Sequence, residues 1–414
     1  MEHVKYRSFS DEIHKAVVQE RDEGGERVPV DSMIELTRLC SIKCTHCYIG
    51  DARWKKDPNE MTTEQTKELL DVLAEKGTLW VCFTGGEAMI RKDFRELWLY
   101  AKEKGFILTL FTNATLINES MADFLEENPP FNLEVSIYGA TEETYEKVSQ
   151  VKGSYKRFMR GIENIRKREF HWILKTVVIK ENSHELEQMR GLAQEWGVQF
   201  KYDANINPSI GEGKTGGKAP CATRVEIADV AELDMKDGER REEIETLVNN
   251  SSSSDRGEYL YSCSAGLDST YIKSDGTLQM CILTGHRGHN LQNGKSILQE
   301  FEKGWDSFGE VRKIRLKEDS PCHSCDLALI CENCPGFAQL ENGDENSAVE
   351  FLCRSTHLKA IGLGMKHKCD PNHYVYNSVR KPKPKQDQNN AVQAQSLTGS
   401  LGKDEESGKE IKQG

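Results

Sequence analysis

The sequence predicts an α/β chain: a partial (β/α)6 barrel of the TIM type, followed by a small cysteine-rich region. Three observations predict it. Strand-like and helical periods alternate six times between Met33 and Ala204. Three cysteines, Cys40, Cys44 and Cys47, follow the first strand in the spacing C-x3-C-x2-C. A second, denser set of cysteines runs from Cys263 to Cys369.

Residues 1–29 read as a polar lead-in with one short helix near Phe9–Gln19. The barrel core is expected over 30–235. Its strands are the β-branched and aromatic runs Met33–Thr37, Leu79–Thr84, Ile107–Thr112, Leu133–Tyr138, Ile173–Ile179 and Val198–Ala204. Apolar residues at helical spacing fill the intervals Thr63–Glu75, Asp93–Lys104, Asn118–Glu126, Tyr155–Arg168 and His184–Trp196. The first of these opens on Thr62-Thr63-Glu64-Gln65, a capping start. Strands that alternate with helices form parallel sheets with right-handed crossovers, and ligand chemistry gathers at the carboxyl ends of the strands. Gly211–Pro220 is a glycine- and lysine-rich loop. Residues 236–262, with four consecutive serines inside Asn249–Asp255, read as a linker. The cysteine-rich region spans 263–370, and 371–414 is a polar tail expected to be disordered.

Composition excludes several classes. A net charge of −12 argues against non-specific binding to nucleic acid or to an anionic membrane. No apolar run is long enough to span a bilayer, and no signal-peptide pattern opens the chain, so it reads as cytoplasmic. Thirteen cysteines in such a chain point to metal rather than to disulfides.

Three thiolates on one loop leave a four-ligand site incomplete. A [4Fe–4S] cluster held by Cys40, Cys44 and Cys47 keeps one iron open to a small molecule; a zinc loop is the competing reading. This triplet, with aromatic His46 before its last cysteine, resembles the signature of the radical S-adenosylmethionine (SAM) superfamily. The resemblance implies a [4Fe–4S] cluster whose open iron chelates SAM, whose reductive cleavage yields a 5′-deoxyadenosyl radical, and an external electron donor of flavodoxin or ferredoxin type. Thr84-Gly85-Gly86-Glu87 resembles the family's GGE motif, which implies that Gly85, Gly86 and Glu87 hold the SAM ammonium. Ser136 matches a position that contacts the ribose. Thr112 and Asn113 resemble a segment near the adenosyl group.

The carboxyl-terminal cysteines run Cys263-x12-Gly276-x4-Cys281, then Cys322-x2-Cys325-x5-Cys331-x2-Cys334, then Cys353. This resembles the SPASM domain, an iron–sulfur extension of radical SAM enzymes, except that its last short gap is x2 where the family has x3. The resemblance implies two auxiliary [4Fe–4S] clusters: an outer one on Cys322, Cys325, Cys331 and Cys353, and an inner one on Cys263, Cys281 and Cys334. Two complete clusters need eight thiolates and the array supplies seven, so the inner cluster either keeps an open iron or borrows Cys221 or Cys369. A four-cysteine zinc site on the four central cysteines is the alternative. Cys82 reads as an inert core residue, and Cys221 as a surface thiol.

The resemblance implies an enzyme that modifies a peptide or small protein by crosslinking, thioether formation or epimerisation. Only 39 residues precede Cys40, too few for a leader-binding domain, so a separate leader-peptide recognition protein is expected. Ile282 after Cys281 replaces the aspartate usual in sulfatase-maturating relatives. A sulfatase-maturase-like or small-molecule radical SAM oxidoreductase, and a non-catalytic iron–sulfur or zinc protein, are the alternatives. No acid or base for a second half-reaction is identified; Asp203, after the sixth strand, is a candidate by position alone.

Overall fold

Side chains on successive strand residues point to opposite faces of a sheet, and here the two faces differ in chemistry. The computed structural model describes residues 27–210, 219–250, 258–323 and 325–365. Strands β1 (Asp31–Thr37), β2 (Trp80–Gly85), β3 (Ile107–Thr112), β4 (Asn132–Ser136), β5 (Trp172–Val177) and β6 (Phe200–Asp203) lie side by side in chain order. Each neighbouring pair is parallel. The outward face carries Val81, Phe83, Leu108, Leu110, Leu133, Val135 and Leu174, all buried against the helices. The inward face carries Thr109, Phe111, Glu134 and Lys175, and solvent reaches each of them in part. The hydrophobic core is therefore a layer between strands and helices, and the concave side of the half-barrel stays open.

The helices complete that layer. They are α1 (Thr63–Glu75), α2 (Phe94–Glu103), α3 (Glu119–Glu127), α4 (Glu142–Ser149), α5 (Ser154–Arg166) and α6 (Leu186–Trp196). Helix α1 starts where its sequence signal places it: the Thr62 side chain accepts from the Gln65 backbone N–H, and the Gln65 side chain accepts from the Thr62 N–H. Trp98 on α2 is fully buried, and its indole N–H donates to the Asn128 carbonyl at 2.9 Å. Helix α4 lies in a stretch with no helical assignment from sequence.

The carboxyl-terminal region is built onto the same sheet. Strand β7 (Ser269–Ile272) pairs in parallel with β1, and β8 (Thr277–Gln279) and β9 (His289–Asn290) follow antiparallel. The sheet thus has nine strands in the order β6-β5-β4-β3-β2-β1-β7-β8-β9. Gly276 makes the β7–β8 turn at φ +74°, which explains the glycine at that place in the cysteine pattern. Helices α7 (Ile227–Lys236), α8 (Gly238–Asn250), α9 (Ile297–Arg312), α10 (Pro335–Asn342) and α11 (Glu350–Gly362) close the fold, α11 packing on α7 and α9 on α1. The span 236–262, expected as a linker, contains α8. The expected helix near Phe9–Gln19, residues 211–218 of the expected loop, 251–257 of the linker, Cys369 and the tail lie outside the described residues. Among the described residues no helix is long and apolar enough to cross a membrane.

Glu345 ties this region together. Its carboxylate accepts from Tyr261, His286 and Arg287. Burial alone would raise its pKa, but these donors reverse the effect and hold it at about 2. A depressed carboxylate stabilises the fold above its unfolded pKa and loses that contribution as pH falls. The expected outcome is that Glu345→Gln costs stability at neutral pH and reduces the stability lost between about pH 4.5 and pH 2, as read by acid titration of circular dichroism.

A second test concerns packing. Gly161 on α5 faces the segment after β3, and a Cβ there would lie 2.1 Å from the Ala114 carbonyl oxygen. Gly161→Ala is expected to destabilise the fold by about 1–3 kcal/mol in thermal melts, through overpacking.

Candidate active site

The carboxyl ends of the strands gather the predicted site residues. The loop after β1 carries Cys40, Cys44 and Cys47. It is docked on the end of α4, where the Lys43 N–H donates to the Ser149 carbonyl at 2.7 Å and the Thr45 N–H to Val148 at 3.1 Å. Within the loop the Cys47 N–H donates to the Cys44 carbonyl at 3.2 Å. The helix absent from the sequence reading is therefore what holds the cysteine loop. Its sequence signal is modest: Thr141 as N-cap, then an acidic first turn ahead of Tyr145 and Val148.

Burial raises the pKa of all three thiols, that of Cys40 to about 12 and that of Cys44 well above the ordinary range. The Cys40 and Cys47 sulfurs are close enough to Cys44 to raise it further. The Arg53 guanidinium lowers Cys44 and Cys47 only in part. Burial and then Arg53 depress His46 to about 4, so its ring is neutral; it packs 5.4 Å from the Tyr138 ring. The buried His46 Nδ1 and Thr45 Oγ1 have no hydrogen-bond partner. A crowded, buried all-sulfur donor set short of positive charge fits a metal cluster, which converts such thiols to thiolates. Among the described residues no three His, Cys, Asp or Glu side chains converge on one metal ion; a cluster attaches each thiolate to a separate iron.

Gly85 and Gly86 end β2, and their lack of a Cβ serves a contact inside the protein. A Cβ on Gly85 would lie 2.2 Å from the Thr37 carbonyl oxygen, and one on Gly86 2.3 Å from that of Leu39. The Gly86 N–H donates to Thr37 at 2.9 Å and the Glu87 N–H to Leu39 at 2.8 Å. The buried Glu87 carboxylate accepts from the Thr112 hydroxyl and the Asn113 N–H, both at 2.9 Å, and at 3.5 Å from the Met89 N–H. Burial outweighs those donors and raises its pKa to about 7. Asn113 reaches Cys40, its Nδ2 lying 3.6 Å from Sγ. Thus Gly85, Gly86, Glu87, Thr112, Asn113 and the cysteine loop form one connected cluster. Ser136 is the last residue of β4, on the inward face beside Lys175. Asp203 ends β6, exposed, its carboxylate accepting from the Asn205 N–H at 2.8 Å. The strand-interior charges Glu134 and Lys175 escaped the sequence reading; their signal is a charged residue beside apolar neighbours, Leu133 and Val135 in β4 and Leu174 in β5.

The later cysteines fall into two groups. Cys281 is raised to about 12 by burial, then by the nearby sulfurs of Cys334 and Cys263. Cys334 caps α10, its sulfur accepting from the Phe337 N–H at 3.3 Å, a position that favours an anion. Asn333 serves the other group: its Nδ2 lies 3.6 Å from the Cys322 sulfur, its N–H donates to the Cys331 sulfur at 3.4 Å, and its Oδ1 accepts from the Val349 N–H at 2.9 Å. Cys331 and Cys334, three apart in sequence, therefore face different partners. Cys353 is buried on α11, and Cys325 packs beside Leu327 and Ile330. Cys82 is buried on β2, and Cys221 lies in the turn Pro220–Thr223.

A parallel half-barrel thus brings a three-cysteine loop, a paired-glycine turn and a buried glutamate to one rim. Residues 34–193 match the model of the radical SAM superfamily, so the chain carries a radical SAM domain. It is 26% identical over 336 residues to an AdoMet-dependent heme synthase of Methanosarcina barkeri, covering 75% of this chain and 92% of that protein. It is 30% identical over 191 residues to the mycofactocin maturase MftC of Mycolicibacterium smegmatis, covering 46% of this chain and 48% of that one. Its fold is similar to that of Streptococcus suis SuiB bound to the precursor peptide SuiA, with a TM-score of 0.60, 18% identity and 82% and 79% of the two chains covered. It is similar also to anSMEcpe with bound AdoMet, at a TM-score of 0.59, 17% identity and 81% and 97% coverage.

The Asn113 contact is open to test. Asn113→Ala removes the amide beside Cys40 together with the acceptor for the Thr115 N–H. It is expected to slow reductive SAM cleavage about tenfold, the equivalent of one lost hydrogen bond, in an anaerobic assay of 5′-deoxyadenosine.

Proposed function

We propose that the protein uses SAM-derived radical chemistry to modify a peptide or small protein, by crosslinking, thioether formation or epimerisation. The observation that carries this reading is the joining of the two cysteine regions in one sheet: β7, which leads to Cys281, pairs directly with β1, which leads to Cys40. Cys40, Cys44 and Cys47 would hold the SAM-binding [4Fe–4S] cluster, which supplies the electron that splits SAM. Around it the chain's own residues have defined work. Asn113 supports Cys40, the Gly86 and Glu87 amides fix the loop's approach, and Gly85, Gly86, Glu87, Thr112, Asn113 and Ser136 form the rim offered to SAM. Cys322, Cys325, Cys331 and Cys353 would hold an outer auxiliary cluster, and Cys263, Cys281 and Cys334 an inner one. With three sulfurs the inner cluster would keep an iron open to a substrate thiolate or take Cys221 or Cys369 as its fourth ligand. An external low-potential electron donor completes the system. The peptide reading draws on the fold shared with SuiB, whose structure contains its precursor peptide. The second reading, a small-molecule substrate, draws on the heme synthase, nine-tenths of whose length aligns with this chain.

Anaerobic reconstitution tests both. Reduced protein is expected to convert SAM to 5′-deoxyadenosine. Cys44→Ala should abolish that and lower the iron content by about a third, while the remaining iron–sulfur absorption persists. Colourless, zinc-loaded protein or undiminished cleavage by the variant would contradict the assignment. Mass spectrometry of a co-expressed candidate peptide separates the substrate classes: a crosslink removes about 2 Da, the mass of two hydrogens, and epimerisation leaves mass unchanged but alters chirality.

A further inference from the structure

Barrel interiors are normally filled by branched apolar side chains. The concave face here holds an ion trio instead. Lys175 projects from the middle of β5, its Nζ 3.0 Å from Glu134 Oε2 on β4 and 3.0 Å from the centroid of the Phe111 ring on β3. Its charge also acts on the Cys82 thiol on β2. Strands β3, β4 and β5 thus meet at one ammonium. From β6, Lys201 points at the same carboxylate, with Nζ 3.9 Å from Glu134 Oε1, beyond hydrogen-bond distance. That oxygen is already occupied by the Asn132 amide at 3.0 Å.

The balance is uneven. Two ammonium groups face one carboxylate, a surplus of one positive charge. Burial lowers the Lys175 pKa, and Glu134 opposes that shift. The trio is still reachable: the side chains are 24% exposed for Lys175, 15% for Glu134 and 49% for Lys201. Holding an amine in a strand costs desolvation that an apolar residue would avoid, so the arrangement needs a use. Its place supplies one. Lys175 pairs in register with Ser136 at the rim and with Lys201 on its other side.

We propose that Lys175 and Lys201 form a subsite for a single carboxylate of the substrate, inside the half-barrel and next to the rim that handles SAM. The surplus of one charge matches a monoanion. Lys201, half-exposed and loosely held, supplies the first contact; Lys175, clamped between Glu134 and Phe111, sets the depth at which the carboxylate stops. A carboxylate anchored there places the neighbouring carbon atoms towards Ser136. The proposal rests on the reading of the rim as the SAM site. The carboxylate has two possible sources, an acidic residue of a peptide or an acid group of a small molecule.

Lysine footprinting tests it on the full-length, reconstituted protein. Acetylation of Lys175 and Lys201 by N-hydroxysuccinimidyl acetate is followed by mass spectrometry at matched ionic strength. The probes are a pentapeptide of alanines with central glutamate, capped at both ends, against its glutamine twin, and butyrate against butyramide. The expected result is that a carboxylate probe slows acetylation of Lys201 at least threefold and its amide twin does not. Lys201→Met should remove the protection of Lys175, and Lys201→Arg should retain it. Protection by the peptide alone identifies a peptide source, and protection by butyrate a small-molecule source; either supports the subsite. Equal effects of acid and amide, or none at either lysine, overturn it. Reductive SAM cleavage by the same wild-type preparation reports separately on the radical reading.

Discussion

Two backbone hydrogen bonds, from Gly86 to Thr37 and from Glu87 to Leu39, are what the rest of the site depends on. They join the exits of β1 and β2 more closely than any side chain would permit, since a Cβ on either glycine would overlap a carbonyl oxygen. Through them the direction of the cysteine loop is set by the sheet itself. Glu87 then carries the same constraint to β3, through Thr112 and Asn113, and Asn113 returns it to Cys40. The circuit is closed: three strand ends and one loop, each fixed by the next, with a buried carboxylate at the centre.

The charge state of that circuit is poised for an occupant. The three thiols repel one another as anions, Cys44 is buried and Cys40 and Cys47 partly so, and Arg53 compensates Cys44 and Cys47 only in part. A cationic cluster would relieve the burial cost and the mutual repulsion together. In the carboxyl-terminal region Cys281 is likewise raised by burial and then by the sulfur of Cys334, with Cys263 adding to it. In the Cys40 loop the fold spends stability on holding sulfurs together, a cost that a bound cluster would offset.

Much of this was legible in the sequence, and for specific reasons. The six strands showed because their outward residues, such as Val81, Phe83, Leu108 and Leu110, face a helix layer and so are uniformly apolar. The capping box at Thr62 is a local signal that tertiary contacts leave intact. The cysteine patterns stood out because metal spacing is a short-range property. What stayed hidden is long-range or short in length. Strands β7–β9 are two to four residues long, and β7 is defined by contacts such as Ser32 to Thr270, across 238 positions. Helix α4 has eight residues, of which Tyr145 and Val148 are the large apolar ones. The Gly85–Gly86 pair was read as a place for a ligand to approach; its observed neighbour is protein backbone. The Glu134–Lys175 pair was invisible because nothing in a single strand says that its charged residue will meet another across a barrel.

The pairing of β7 with β1 also bears on how such a chain can arise and be divided. With β7 in place β1 is an interior strand, hydrogen-bonded on both sides, and its buried Glu35 is satisfied by Tyr271 and Ser274. Removing everything after the barrel would turn β1 into a bare edge, open to pairing with another molecule, and leave a carboxylate buried without donors. The cysteine-rich region is therefore no detachable appendage. The ribosome must deliver Ser269 before Asp31 has both its neighbours, so the amino-terminal half of the site waits, unfinished, for most of the chain's synthesis.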